Sequence, residues 1–263
     1  MKKIVAATLL ALGLAACATT EPKDETRGWT VEKLYSEARD ELNSGNYTRA
    51  IKLYETLEAR FPYGRYAQQA QMDLAYTHYK DGEPEQAIAA ADRFIKLHPA
   101  HANLDYIYYL KGLVYYNDDS SVLAKWAGQD LSERDPKATR EAFLAFRELV
   151  SRFPDSQYAP DARDKMLKLV NALGGHEMHV ARYYMKRGAY LAAANRAQSV
   201  VKEYANTPFV EEALALMVSA YDKLGMKPLG DDARRVLALN YPNSAYLQKA
   251  WSVEEMPWWK FWK

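Results

Sequence analysis

Gly45-Asn46-Tyr47-Thr48-Arg49-Ala50 and, 37 residues on, Gly82-Glu83-Pro84-Glu85-Gln86-Ala87 are the stretches that decide the fold. Each pairs a turn-forming glycine with an alanine five residues later. Ala38 stands twelve residues before Ala50 and Ala75 twelve before Ala87, while Pro62 and Pro99 stand twelve after the same alanines. Such spacing describes two antiparallel helices that touch through small side chains, with glycine in the turn and proline closing the second helix. A helix pair of this kind covers its apolar faces only by stacking on a neighbour, so copies have to succeed one another.

They do. Ala142 with Phe153-Pro154 is a third copy. Pro99 and Pro154 are 55 residues apart, so about half a repeat has been inserted, placed here within 117–137. The stretch from Asn117-Asp118-Asp119-Ser120-Ser121 through Glu133-Arg134-Asp135-Pro136 reads as a loop, with a short helix around Leu123–Ala127. A fourth copy carries Gly188, Tyr190 and Ala193, with Pro208 late. A fifth is irregular: Leu224-Gly225 turns, Ala233 packs and Tyr241-Pro242 ends it. The spacing is close to that of tetratricopeptide repeats. Apolar residues recur with the helical period: Leu34, Ala38 and Leu42 form one stripe, Ile51, Tyr54 and Leu57 the next, and Leu74, Tyr76, His78 and Tyr79 continue it less tidily. Asp161 to Lys186 reads as one long helix with Gly174-Gly175 as its weak point. No stretch alternates strictly enough for a sheet. The expected fold is all-α: an α-solenoid of about five tetratricopeptide (TPR) hairpins, with repeats over 29–135 and 136–245 and a concave face lined by the first helix of each pair.

Composition narrows the function. The 263 residues hold 35 Lys plus Arg against 34 Asp plus Glu, too even a balance for a nucleic-acid binder that works by neutralising phosphates. At 49% hydrophobic the chain can bury a real core. Twelve glycines and eleven prolines are too few for a sandwich or barrel with many tight turns. Twenty tyrosines against seven phenylalanines suit half-buried surfaces that are apolar on one side and hydrogen-bonding on the other.

The amino terminus reads as an address. Lys2 and Lys3 precede an apolar run from Ile4 to Ala16, a secretory signal too short for an ordinary membrane span. It ends in Leu14-Ala15-Ala16-Cys17, which resembles the bacterial lipobox, whose cysteine becomes the acylated first residue. Cys17 is the only cysteine, so no internal disulfide can form. More than one acyl chain gives stable anchoring, and Ala18 after the cysteine, by resemblance to lipoprotein sorting, favours the outer membrane. Residues 17–28 then read as a polar tether.

A search for reaction chemistry finds little. His176-Glu177-Met178-His179 looks like a zincin motif with one residue missing: the histidines are i and i+3, where one metal needs i and i+4. A solvated helix face is the better reading. His98 and His101 flank Pro99 as turn residues. There is no glycine-rich phosphate loop and no Gly-x-Ser-x-Gly elbow. No cofactor or metal is expected beyond covalent lipid on Cys17, and no enzyme activity.

With lipobox, tether and hairpins in hand, the chain resembles the BamD/ComL family, tetratricopeptide lipoproteins of the machinery that assembles β-barrel proteins into the outer membrane. The strings that carry the resemblance are Phe61-Pro62-Tyr63-Gly64 with Tyr66 and Gln68-Gln69, Asp92-Arg93-Phe94-Ile95, Asn103-Leu104-Asp105-Tyr106, Arg134-Asp135-Pro136, Pro154-Asp155-Ser156-Gln157-Tyr158, and Tyr183-Tyr184 leading to Arg187-Gly188-Ala189 and Asn195-Arg196. They cover roughly residues 31–245. The resemblance implies a scaffold on the periplasmic face of the outer membrane. Its N-terminal repeats would bind extended, aromatic-ended segments of unfolded barrel proteins. Its C-terminal repeats would contact the periplasmic domain of BamA, and other assembly lipoproteins, such as BamC where present, would lie along the N-terminal half. It implies that Arg196, with Asn195 and Arg187 in the same strings, pairs with an acid of BamA; taken alone, Arg196 reads as a surface arginine. Phe61, Tyr63, Gly64 and Tyr66 are candidates for the peptide end; the alternative, which their place in the turn favours, is that they only cap and pack it. A different reading is a periplasmic TPR lipoprotein that organises or activates cell-wall enzymes. The 246–263 tail departs from the family: Trp258-Trp259-Lys260-Phe261-Trp262-Lys263 suits a membrane interface, a partner groove or a cap on the last repeat.

Overall fold

The computed structural model describes residues 25–116 and 136–252. The signal, Cys17, the short helix expected at Leu123–Ala127 and the aromatic run 258–262 lie outside the described residues. Ten α-helices occur among the described residues, and no strand: α1 (Val31–Asn43), α2 (Tyr47–Arg60), α3 (Arg65–Asp81), α4 (Pro84–Leu97), α5 (Leu104–Tyr116), α6 (Pro136–Arg152), α7 (Ala159–Lys186), α8 (Tyr190–Glu203), α9 (Val210–Leu224) and α10 (Lys227–Asn240), then a 3-10 turn at Ala245–Leu247. They pair as five hairpins, the all-α tetratricopeptide architecture expected. The chain divides into two compact units, one up to Ala70 and one from Gln71.

Four hairpins close through one device. Gly45, Gly82, Gly188 and Gly225 all have positive φ, from 69° to 80°, where a side chain costs energy and glycine does not. Each glycine N–H donates three residues back and the next N–H five residues back, as in Gly188 to Met185 (3.1 Å) and Ala189 to Tyr184 (3.0 Å). These are Schellman turns. The second helices also end alike. Phe61, His98, Tyr204 and Tyr241 cap α2, α4, α8 and α10 at φ between −124° and −133°, each N–H still reaching the carbonyl four back. Three of these aromatics precede a proline, which disfavours helical backbone in the residue before it. α8 stops on schedule at Tyr204 without one, so Pro208 is not its terminator.

The small residues sit where the spacing put them: Ala38, Ala50, Ala75, Ala87, Ala142 and Ala193 are at most 1% exposed. Two glycines add to the sequence reading. In the third hairpin Gly112 of α5 faces α6, and a Cβ there would come within 2.4–2.9 Å of three Phe146 ring carbons. In the fifth, Ala233 packs in the last core cluster as expected, and Gly230 is a further close point: a Cβ there would lie 3.6 Å from Tyr221 Cβ and 3.1 Å from Asp222 Oδ1. Helix α6 begins at Pro136, so the connection ends one residue earlier than the expected loop; proline suits a first helical turn, whose N–H groups lack partners anyway. α7 is unbroken over 28 residues. Gly174 is a packing point within it, not a weak one: a Cβ would meet Thr207 and Phe209 at 3.2–3.3 Å.

In the first unit Leu34, Ala38, Ala50, Leu53, Tyr54 and Leu57 form the buried seam of α1 and α2, with Leu42 and Ile51 only half-buried. In the second, Phe94, Ile107 and Leu110 pack between α4 and α5, Phe146, Leu149 and Leu169 between α6 and α7, and Met178, Val200, Leu214, Leu216 and Leu237 among α7 to α10. Trp251, past the end of the repeats, is buried in that last cluster.

Candidate functional site

Arg196 lies on α8 with its guanidinium held by Glu177 of α7: Nη1 is 3.0 and 3.3 Å from the two carboxylate oxygens. Glu177 is 15% exposed and Arg196 45%. One nitrogen makes both contacts, so the Nε/Nη2 edge, which suits bidentate carboxylate binding, faces away from Glu177. Arg140 of α6 is held firmly cationic by a hydrogen bond with Tyr204 and by Glu203 and Glu177. Glu177, the acid of the incomplete zincin string, thus faces two arginines. Among the described residues no group of three His, Cys, Asp or Glu is placed to hold a metal ion.

Arg187 and Asn195 are placed differently. Arg187 caps α7, its N–H donating to Tyr183 (3.1 Å) and Tyr184 (3.2 Å), and its guanidinium lies 5.4 Å from the centre of the Tyr183 ring. Tyr183 is 50% exposed, so this is a displayed cation–π pair. Asn195 is exposed on α8, one turn beyond exposed Leu191. The exposed arginines therefore alternate with exposed apolar groups along the α7–α8 hairpin.

Deeper in the same region Arg182 grips Glu212 of α9 through two bonds, Nε to Oε1 at 2.7 Å and Nη2 to Oε2 at 2.5 Å. The indole N–H of Trp251 donates to the same Oε1 at 3.2 Å. Burial alone would raise the Glu212 carboxyl, but the Arg182 bonds and charge, with Trp251, outweigh it and hold the group below its usual range.

A tyrosine wall crosses α3, α5 and α7 in the second unit, unforeseen in the sequence. Tyr76 and Tyr79 lie 6.4 Å apart. Tyr109 stacks on Tyr158 at 4.8 Å and 16°, with Tyr106 at 5.8 Å from Tyr158. Tyr109 donates to Asp161 Oδ2 at 2.6 Å and Lys165 reaches Oδ1 at 3.1 Å. Burial first, then Asp73, Tyr76 and Tyr158, push the Tyr106 hydroxyl well above the phenol range, so it stays protonated and a donor. The signal was present as tyrosines three apart, Tyr76/Tyr79 and Tyr106/Tyr109, one face of a helix each. It was hidden because the partner on α7 is a cap residue outside the helical period.

In the first unit the four turn candidates divide. Phe61 is the half-buried cap of α2. Gly64, at φ 94°, turns the chain into α3, its carbonyl accepting from Gln68 at 3.2 Å. Tyr63 is 90% exposed. Tyr66 packs on Tyr35 of α1 at 5.4 Å, under the Arg65 guanidinium at 4.8 Å. Arg39 lies 6.0 Å from the Tyr35 ring. Phe61 and Gly64 thus build the turn, Tyr66 with Tyr35, Arg39 and Arg65 forms an aromatic patch rimmed by cations, and Tyr63 stands exposed in the turn that leads to it.

The outer membrane lipoprotein (YfiO) family model matches residues 28–236 of this chain. Over 266 aligned residues the chain is 59% identical to the outer membrane protein assembly factor BamD of Neisseria meningitidis serogroup A, covering the whole of both. It is 39% identical to the protein of that name in Xylella fastidiosa strain Temecula1, covering 90% of this chain and 82% of that one. The Vibrio cholerae counterpart is 34% identical, with 91% and 99% covered.

Proposed function

We propose, from the premise that this chain belongs to the outer membrane lipoprotein family that includes the BamD assembly factors, that it works by holding other proteins and not by transforming a substrate. The chain is an outer membrane protein assembly factor, and its place is the outer membrane. The finer reading assigns three surfaces. Cys17 carries lipid and anchors the chain to the periplasmic face. The α7–α8 hairpin docks on the periplasmic domain of a BamA-like protein. The aromatic patch of the first unit receives extended segments of unfolded barrel proteins, and accessory lipoproteins bind elsewhere.

The observation that carries the docking assignment is the open Nε/Nη2 edge of Arg196. Glu177 pins the side chain in place, so less rotamer freedom is lost when a second carboxylate arrives. Arg187 over Tyr183, with exposed Leu191, supplies a mixed apolar and cationic rim. For the peptide end, an aromatic residue followed by a terminal carboxylate would stack on Tyr66 and Tyr35 while Arg39 and Arg65 meet the charge.

Arg196→Glu tests docking directly. It puts two acids together across α7 and α8 and should abolish co-purification with the barrel subunit from detergent-solubilised membranes, while the circular dichroism spectrum stays helical. Unchanged co-purification would remove Arg196 from the interface. For the peptide, a photo-crosslinker at Tyr63 should capture unfolded barrel chains, and capture should fall on Arg39→Ala with Arg65→Ala.

A further inference from the structure

The last hairpin has no successor among the described residues, and its outer helix shows it. Along α10, Leu229, Val236 and Leu239 are 43%, 38% and 75% exposed. They are spaced seven and three residues apart, so they share one face. An end repeat of a stacked array normally presents a polar outer side or is covered. Between α9, α10 and the segment after them, on another side of α10, lies a groove of about 490 Å³. Val218, Leu237, Leu247 and Trp251 give it apolar lining, and Lys223 with the Arg234–Asp222 ion pair (3.1 Å) adds charge. Trp251 is itself fixed by its bond to Glu212, so the chain leaves from the groove's own edge.

The segment beyond that edge is short and unusual. Eleven residues come after Ser252, among them Trp258, Trp259, Phe261 and Trp262, with Lys260 and Lys263. Six residues from Ser252 reach as far as about 20 Å when extended, so Trp258 can return to the groove without strain. The groove's size lies in the range of pockets that enclose small ligands, roughly 300–1,000 Å³. A short tether also confers an effective concentration of about millimolar, so even a weak intrinsic contact is well occupied.

We propose that residues 258–263 of this same chain fold back into the groove, seating an indole of the Trp258-Trp259 pair against Leu237, Leu247 and Trp251 and beneath the Lys223 ammonium. The tail is then a covalently attached cap that completes the last hairpin. It is chemically suited to the place: indole offers a large apolar body, an N–H donor for Asp222 and a π-face for Lys223. This assignment does not depend on the docking role of Arg196.

The test uses the full-length chain with Cys17→Ser, which removes the only native thiol. With Val218→Cys and Lys260→Cys added, mild oxidation should give an intramolecular disulfide at dilute protein, seen as a faster monomer band on a non-reducing gel. Deleting 258–263 should lower Tm by about 2–4 °C, and the same deletion in a Leu247→Asp background should lower it no further. Three results overturn the proposal: no cross-link with an unchanged Tm, a cross-link only between chains, or tail indoles that shift their fluorescence only when phosphatidylglycerol vesicles or a barrel partner is added.

Discussion

A single methyl group would strain the third hairpin. In an exposed helix interior, glycine to alanine stabilises by about 1 kcal/mol. At Gly112 the new Cβ would come within 2.4–2.9 Å of the Phe146 ring carbons, and Phe146 is fully buried. Overpacking of this kind costs about 1–3 kcal/mol, so Gly112→Ala should lower the urea midpoint, and Phe146→Leu in the same chain should restore part of it. Glu212 contributes through charge instead of shape. Its carboxyl is held below the ordinary range by Arg182 and Trp251 against the opposing effect of burial. A depressed carboxyl lends stability that is fully present above its unfolded value, about 4.3, and fades as pH falls through the folded one. Glu212→Gln should therefore unfold at lower urea than the parent at pH 7, with the gap closing toward pH 3. Equal gaps at both pH values would deny the linkage. Neither residue was legible beforehand: the insertion moved Ala142 to thirty residues past Gly112, and an ion pair between α7 and α9 leaves no local spacing to read.

Hairpins, by contrast, could be read nearly whole. Glycine, then alanine at five and proline at seventeen, reports a Schellman turn, a close crossing and a terminated helix, all local in origin. The turn glycines carry φ of 80° at Gly45, 76° at Gly82 and 75° at Gly188. A β-branched residue there bears the left-handed penalty of about 1–2 kcal/mol with no clash to relieve, since open space surrounds each Cβ position. Gly45→Val, Gly82→Val and Gly188→Val should each lose about that much in denaturant melts, and the asparagine variants should lose less. In the fifth copy Ala233 packs as read, and Gly230, five residues after the turn glycine, takes the position that alanine holds in the other copies. What no repeat period reveals is the tyrosine wall, which depends on Tyr158 stacking from a cap position.

For the whole molecule, the proposed anchor at Cys17 bears on location. None of the helices among the described residues is long and apolar enough to cross a membrane, and the chain without residues 1–16 carries 33 basic and 34 acidic side chains. Such a body has little attraction for an anionic bilayer of its own, so the proposal that lipid on Cys17 anchors the chain makes a sharp prediction. Cys17→Ser should move the protein from the membrane pellet to the soluble periplasmic extract. Retention in the pellet after a high-salt wash would show that another element binds the membrane. The five hairpins also differ in one respect that matters for engineers. Four of them join their helices through two or three residues around a turn glycine, whereas nineteen residues separate Tyr116 from Pro136 in the third. Lengthening a short connection would break a hydrogen-bonded closure, and extra chain in an already long one adds little closure entropy. That junction is therefore the natural seam for grafting a fluorescent reporter or affinity handle, leaving both neighbouring helices and the anchored terminus as they are.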